Sequence, residues 1–344
     1  MTSAADLLVP IPIPIPIPIR PDTYGIAPNT GVAVIAPSGA ALDAAAVARG
    51  VALLQAQGCR VHNYYDHQQR YQRFGASDAA RVDQLHAAAA NPDVQVVMAV
   101  RGSYGLSRIL GAIDYDALAA SGKLFVGFSD ITALHLALLA RTGAPSFAGP
   151  MLCGDFGAEQ VSAPTIGQFW QCVTHPEHTI RVSGVESPAL ALQGTLWGGN
   201  LAMIAHLAGT PYFPDVDNGI LFLEDIGEHP YRVERMLLQL HYAGALKKQQ
   251  AILLGDFSGY RLAPHDNGYD FDAMLAYLRA ELKLPILTGL PFGHIPDRVT
   301  LAVGAAARLV AGGDGWSLSF GGYPFLAKSG DDETYKITTD VFRP

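Results

Sequence analysis

The stretch LFVGFSDITALHLALL, from Leu124 to Leu139, joins an apolar strand to an apolar helix with almost no loop between them. A serine, Ser129, occupies the corner. A side chain there stands clear of the sheet, beside helix N–H groups that can bind an anion. One interpretation of the stretch is therefore a nucleophile elbow. The alternative is that Ser129 or Asp130 caps the helix, and this stretch alone favours the cap, because Ile131 stands where G-x-S-x-G has its second glycine.

Strands and helices alternate around this corner, which predicts a parallel sheet covered by helices and so an α/β fold. In the first half, strands are predicted within 31–39, 59–65 and 94–100, and helices over 42–58 and 77–93. In the second half, strands are predicted over 219–225 and 250–257, and helices over 231–246 and 270–282. Residues 300–320 resemble paired strands joined by a turn at Gly312–Gly315.

The chain of 344 residues favours two domains over one, and its 49% apolar residues suffice for a large core. We predict a proline-rich arm over 1–30 and an N-terminal α/β domain over 31–150 that carries the serine. A less periodic connecting segment follows over 151–193. A C-terminal α/β domain with a mixed sheet is predicted over 194–344.

Proline recurs at every second position from Pro10 to Pro18, within the segment Leu7–Pro21. Proline lacks an N–H donor and restricts φ, so we expect extended chain here. We favour an arm that lies on the body of the protein or extends freely into solvent. The alternative is an arm that packs on a partner subunit. It lacks the basic start and cleavage site of a secretory signal.

Composition argues against several classes of protein. The net charge of -8 argues against a nucleic-acid partner, and no apolar run is long enough to span a membrane. Three widely spaced cysteines favour free thiols and a cytoplasmic location. We expect no metal, because His175 and His178 in HPEH make a weak site, and no dinucleotide, because no G-x-G-x-x-G follows the first strand.

A serine nucleophile needs a base, and the base needs an orienting group. Glu224 and Asp225 end a predicted strand, and His294 follows in a loop. The order Ser, Glu, His is that of α/β hydrolases. The alternatives are structural: the carboxylates pair with Arg232 or Arg235, and His294 only completes its loop.

The segment RGSYG, Arg101–Gly105, follows a predicted strand and so reaches the same sheet edge. The amides of Gly102 and Asp130 are candidates for an oxyanion hole, with Ser103 next; the alternative is an ordinary turn. Arg101 is a candidate for binding a substrate carboxylate, with a structural ion pair equally plausible. Two aromatic side chains are candidates for lining the site, although packing is the commoner role: Tyr104 and Trp197.

The chain resembles the LD-carboxypeptidase A family of serine peptidases, which also contains the microcin C immunity proteins. The matching segments begin near Gly31 and run through most of the chain: VAVIAPSG, RGSYGLSRIL, GFSDITALH, FAGPML, GTLWGGNL, ILFLEDIGEHPYRVERML and GLPFGH. The family usually has a second glycine at Ser103, and the proline-rich arm has no counterpart.

The resemblance implies an active site in the groove between two domains, with the triad Ser129, Glu224 and His294, commonly in a homodimer. It implies removal of D-Ala from the murein tetrapeptide L-Ala-γ-D-Glu-meso-diaminopimelate-D-Ala in cell-wall recycling, without a metal or organic cofactor. Glu224 lies 95 positions after Ser129, a spacing like that of the recycling enzymes. The alternatives are a hydrolase of a peptidyl-nucleotide toxin and a non-catalytic muropeptide sensor.

Overall fold

The computed structural model describes residues 26–328 and 335–338. The first part of the chain alternates strands and helices: β1 (Gly31–Ile35), α1 (Ala44–Ala56), β2 (Arg60–Asn63), α2 (Asp78–Ala90), β3 (Val96–Ala99), α3 (Tyr115–Ala120), β4 (Leu124–Gly127), α4 (Thr132–Thr142) and β5 (Ser146–Ala148). The Pro-Ile segment Leu7–Pro21 lies outside the described residues.

The remaining elements build the second half: α5 (Ala163–Val173), β6 (Glu177–Asn200), α6 (Leu201–Leu207), β7 (Gly219–Glu224), α7 (Pro230–Tyr242), β8 (Gln249–Leu254), α8 (Phe271–Leu282), β9 (Ile286–Leu287), β10 (Leu301–Val303), β11 (Ala306–Gly321), β12 (Phe325–Lys328) and β13 (Tyr335–Thr338). No helix of the described residues is long and apolar enough to cross a bilayer.

The first sheet has the strand order β10-β5-β4-β3-β1-β2. Its strands β1 to β5 are parallel. The residues of β1, β3 and β4 are all buried, as expected for central strands covered by helices on both faces. The corner at Ser129 lies at the carboxyl end of β4, the side on which open α/β sheets bind ligands.

The second sheet has the order β11-β6-β7-β8-β9 and is mixed. Strands β6 to β9 run parallel, and β11 runs antiparallel to β6. Its central strand β7 is buried throughout and ends at Glu224. The α/β fold with a parallel and a mixed sheet is therefore confirmed.

The predicted connecting segment 151–193 contains α5 and most of the long strand β6. One local prediction was wrong. The glycines at Gly312–Gly315 do not form a hairpin turn: they lie inside β11, where its pairing with β6 has register shifts. The extra residues of such irregularities are absorbed as bulges, which glycine tolerates.

The two halves of the chain share a sheet. Strand β10, which comes late in the chain, pairs antiparallel with β5 and completes the edge of the first sheet. Helix α4, which follows the serine corner, also contacts α6 and β6 of the second half. These contacts hold the carboxyl ends of β4 and β7 close to each other.

Candidate active site

Ser129 has left-handed backbone geometry, with φ 63°. Such a φ is unfavourable for a residue with a Cβ atom and is typical of strained functional positions. Residues Ser129–Ile131 form one 3-10 turn before α4, and neither the turn nor the helix has a side-chain cap. The alternative that Ser129 or Asp130 caps the helix is therefore wrong.

The side chain of Asp130 is used elsewhere. It is 1% exposed, and its Oδ2 accepts hydrogen bonds from the Leu106 amide at 3.0 Å and from the Ser38 hydroxyl. These two partners lie in the loops after β3 and β1. Asp130 thus ties the nucleophile corner to the two neighbouring loops at this edge of the sheet.

Glu224 and His294 are joined as expected for a triad. Glu224 ends β7 with no exposed surface, and its Oε2 lies 2.7 Å from His294 Nδ1. A carboxylate only accepts hydrogen bonds, so Nδ1 carries the proton and Nε2 is left as the basic nitrogen. Arg232, one of the two arginines considered as structural partners of this carboxylate, pairs with Glu228 instead.

Asn200 is a site residue that the sequence analysis missed. Its Nδ2 donates to Glu224 Oε1 at 3.2 Å and to Asp225 Oδ1 at 3.0 Å. Its backbone N–H donates to Thr132 Oγ1, in the first turn of α4, at 3.0 Å. The signal was available in GGNL, where Asn200 stands between a strand and a helix, the position of an N-cap.

The structure brings His294 to the nucleophile corner. The His294 ring packs edge-on against Phe128, the residue before Ser129, with ring centroids 5.0 Å apart. Among the described residues, the hydrogen bonds of His294 do not include one to Ser129 Oγ. Catalytic hydrogen bonds are often long or misaligned in the absence of substrate. The lack of this hydrogen bond is therefore compatible with a serine–histidine pair.

Gly102 lies directly beside Ser129. A Cβ atom added to Gly102 would come within 3.1 Å of Ser129 Oγ and 2.9 Å of Ser129 Cβ. The Gly102 carbonyl accepts from the Gly39 amide, which orients the loop. Within the described residues, neither the Gly102 N–H nor the Asp130 N–H donates to a backbone carbonyl outside its own element. Both amides are therefore available to a ligand.

The substrate-binding candidates of the RGSYG segment separate into two groups. Ser103 and Tyr104 are exposed; Ser103 has φ 79°, and its Oγ accepts from Arg73 Nη2 at 2.9 Å. The Arg73 guanidinium also lies 5.7 Å from the Tyr104 ring centroid. Arg101 instead donates to the Ala40 carbonyl at 3.3 Å. It forms no ion pair with any residue that the structure describes.

Trp197, a candidate for lining the groove, instead has the packing role that the sequence analysis gave as the commoner one. It is 1% exposed, and its indole N–H donates to Gln249 Oε1 at 2.7 Å. It packs in the second sheet against Phe213 because a strand residue there faces the core. The described residues contain no group of three or more His, Cys, Asp or Glu side chains placed to hold a metal ion.

Comparison with protein families matches both halves of the chain. Residues 32–149 match the LD-carboxypeptidase N-terminal domain, and residues 193–309 match the LD-carboxypeptidase C-terminal domain. A putative carboxypeptidase of Streptomyces coelicolor is 34% identical over 83% of this chain and 92% of its own length. The murein tetrapeptide carboxypeptidase of Pseudomonas aeruginosa is 30% identical over 76% of this chain and 87% of its own.

Solved structures agree with these matches. A muramoyltetrapeptide carboxypeptidase from Oxalobacter formigenes is 50% identical, with a TM-score of 0.82, covering 86% of this chain and 99% of that one. A microcin C7 self immunity protein is 23% identical, with a TM-score of 0.77, covering 85% and 96%. At that identity, the second likeness shows a shared fold alone.

Proposed function

The chain belongs to the LD-carboxypeptidase family of serine peptidases, and on this premise we propose that it removes the terminal D-alanine from murein tetrapeptide. The scissile bond joins the L-centre of meso-diaminopimelate to D-Ala. The relatives named for murein or muramoyl tetrapeptide support this substrate. We further propose that the activity serves peptidoglycan recycling.

One observation carries the proposal. A strained serine at the carboxyl end of β4 directly follows Phe128, whose ring packs against a histidine that is hydrogen-bonded to a buried glutamate. A binding protein without catalysis gains nothing from a serine held at positive φ or from a buried Glu–His pair. The arrangement therefore favours an enzyme over a muropeptide sensor.

In the proposed mechanism, His294 Nε2 accepts the proton of Ser129 Oγ as that oxygen attacks the carbonyl carbon of diaminopimelate. Glu224 holds the imidazole in the required tautomer and stabilises the imidazolium. His294 then donates the proton to the amine of the departing D-Ala. A water molecule, deprotonated by the same histidine, hydrolyses the acyl-enzyme and restores Ser129.

We propose that the amides of Gly102 and Asp130 bind the oxyanion. The proximity of Gly102 to Ser129 and the availability of both N–H groups support this role. An oxyanion-hole donor contributes about 3 kcal/mol to transition-state stabilisation. We assign the substrate's charged groups to the exposed face near Ser103 and Tyr104, where Arg73 supplies a guanidinium that pairs well with carboxylates. Arg101, turned towards a carbonyl, is the second candidate.

We also propose that the protein works in the cytoplasm as a homodimer. The three cysteines Cys59, Cys153 and Cys172 are all free, which supports a reducing compartment. The dimer is proposed from family resemblance, and light scattering coupled to size-exclusion chromatography measures it directly. A mass corresponding to one chain would contradict the dimer without affecting the chemistry.

The test is mass spectrometry of the products formed from murein tetrapeptide. Wild type should release D-Ala and tripeptide, whereas Ser129→Ala should fold and release neither. Ser121→Ala is the matched control, because Ser121 is a partly exposed serine just before β4, at the opposite end of the strand from Ser129. Its turnover should equal that of wild type.

Release by Ser129→Ala would mean that another serine or a contaminant is responsible. No release by a folded wild type, together with cleavage of an aspartyl sulfamoyl adenosine, would replace the muropeptide by a peptidyl-nucleotide substrate. If the protein cleaved neither substrate, labelling of Ser129 by a fluorophosphonate would still show an active nucleophile. The choice of peptide would then be at fault.

A further inference from the structure

Arg298 is a buried cation in the same loop as His294, and the mechanism above does not use it. Its side chain is 6% exposed and forms an ion pair with the 4%-exposed side chain of Asp155. Asp155 lies in a single π-helical turn, Leu152–Phe156, which comes shortly after β5 in the chain. The ion pair therefore joins the loop of the base to a segment that is distant in sequence.

The guanidinium of Arg298 holds the backbone on both sides of His294. Its Nη1 donates to the Gly293 carbonyl at 3.0 Å and to the Ile295 carbonyl at 2.5 Å. The Arg298 backbone N–H donates to Thr165 Oγ1, in the first turn of α5, at 2.9 Å. The residues flanking the histidine are thus attached to one rigid planar group.

The same guanidinium contacts the nucleophile corner. Its central carbon lies 4.3 Å from the centroid of the Phe128 ring, a cation–π contact. Phe128 directly precedes Ser129 and packs against the His294 ring. Arg298 is thereby in contact with the chain next to the nucleophile and with the chain next to the base.

Asp155 is built into this arrangement. Its Oδ2 accepts from the Met151 amide at 2.7 Å, and Oδ1 accepts from Arg298. Burial raises the pKa of the Asp155 carboxyl, and the charge of Arg298 opposes that rise. A buried pair of this kind contributes little net stability compared with apolar packing, so a role in fixing geometry explains it better.

We propose that Arg298, held by Asp155, is a positioning residue that sets the distance between His294 and Ser129. The inference rests on the proposed serine-hydrolase function but does not depend on which peptide is the substrate. Arg298 does not touch the reacting atoms. It acts through the two carbonyls beside His294 and through the ring of Phe128.

The test compares rates of Ser129 labelling by a fluorophosphonate, which needs the serine, base and oxyanion hole but no muropeptide. Arg298→Lys keeps the charge opposite Asp155 but loses the planar fork. We expect labelling to slow by about 10- to 100-fold, because ångström-scale displacement of a catalytic group costs about that much. With tetrapeptide, kcat should fall similarly while KM changes little.

Lys123→Met is the matched control. Lys123 is also a buried cation that donates to two carbonyls, those of Asn91 and Val94, but it stands at the opposite end of β4 from Ser129. It should lower the unfolding temperature and leave the labelling rate of the folded protein unchanged. The double variant Asp155→Asn/Arg298→Gln removes both charges, so it serves if Arg298→Lys does not fold, and it should label as slowly.

Labelling at the wild-type rate by folded Arg298→Lys, or by the neutral double variant, would overturn the proposal. Slow labelling with unchanged thermal stability would support it, since a merely structural role would lower stability first. A wild type that labels but releases no D-Ala would contradict the proposed substrate, and the comparison of labelling rates would still decide the role of Arg298.

Discussion

At the scale of single residues, Gly102 matters for the space it leaves open beside Ser129. Gly102→Ala would place a methyl group 3.1 Å from Ser129 Oγ, so either the loop or the serine must move. The displaced loop would move the Gly102 N–H away from the oxyanion. We therefore expect the fluorophosphonate labelling rate and the release of D-Ala to fall by roughly 10²-fold, as when an oxyanion donor is removed. Both assays measure this directly.

Gly111→Ala is the control for the Gly102 variant. An added Cβ at Gly111 would meet only the Tyr212 hydroxyl, at an ordinary 3.6 Å. Its activity should match that of wild type. Equal activity of Gly102→Ala and Gly111→Ala would mean that the space beside Ser129 is not needed for the reaction.

Asp225, the neighbour of Glu224, predicts a pH dependence of stability. Burial raises its pKa from 3.8 to about 6, and the adjacent charge of Glu224 adds to the rise. The folded protein then keeps a proton that the unfolded chain has lost. The stabilising contribution is fully present below the unfolded pKa and disappears as the pH rises through about 6.

Urea unfolding at pH 5 and pH 7 tests this dependence. Between these values, wild type should lose about 1 kcal/mol of unfolding free energy more than Asp225→Asn, which does not titrate. Comparing the two proteins cancels the groups that titrate in both. Identical pH dependence would mean that Asp225 titrates at its ordinary value in the folded protein.

At the scale of elements, Asn200 joins the end of β6 and the start of α6 to Glu224 of the proposed triad. Its Oδ1 caps α6 by accepting from the Met203 amide at 3.2 Å, while its Nδ2 donates to Glu224. Asn200→Ser keeps an acceptor for the cap but removes both amide donors. We expect kcat to fall about tenfold, because Glu224 loses a partner that fixes its carboxylate.

Asp270→Ala serves as the control for a lost cap. Asp270 caps α8 by accepting from the Ala273 amide at 2.9 Å, and it has no part in the proposed site. It should cost about 1 kcal/mol of stability and leave kcat unchanged. If Asn200→Ser kept the wild-type kcat, its amide would matter only for folding.

The predicted elements succeed where one periodicity runs without interruption. Strand β7 and helices α1, α2 and α8 lie within a few residues of their predicted bounds, because apolar runs and capping residues mark them. Helix α5 was missed because Pro164 and Gly167 fall inside it. Strand β6 was missed because its first half contains Gly184 and Pro188, residues that are unfavourable inside a strand.

In the site too, local sequence features marked some residues, whereas others are brought together only by the fold. Local motifs identified Ser129, and a carboxylate at a strand end with a downstream histidine identified Glu224 and His294 as candidates. The contacts of Arg298 with Asp155 and Phe128 could not be predicted, because they join segments more than a hundred positions apart. The two roles left open for Trp197 could not be separated, because sequence does not say which face of a strand meets the core.

At the scale of the whole molecule, the proposed triad draws its residues from both halves of the chain. Ser129 follows β4 of the first sheet, whereas Glu224 ends β7 of the second. Gly199 in β6 allows the second sheet to approach the start of α4, since an added Cβ at Gly199 would lie 2.5 Å from Thr132 Oγ1. The backbone of Asn200 then bonds that same hydroxyl. The distance between the proposed nucleophile and the proposed base thus depends on contacts between the halves.

These contacts predict that the two halves unfold together. Strand β10 belongs to the second half in sequence but closes the edge of the first sheet on β5, so neither sheet survives intact if the other half unfolds. Thermal unfolding followed by far-UV and near-UV circular dichroism should give one transition with coincident midpoints. In the presence of a bound tripeptide product, the single midpoint should rise as a whole, because a ligand that binds between the halves stabilises only the joined state. Two separated transitions would mean that β10 and the α4 contacts couple the halves weakly, and the triad would then assemble only on closure around substrate.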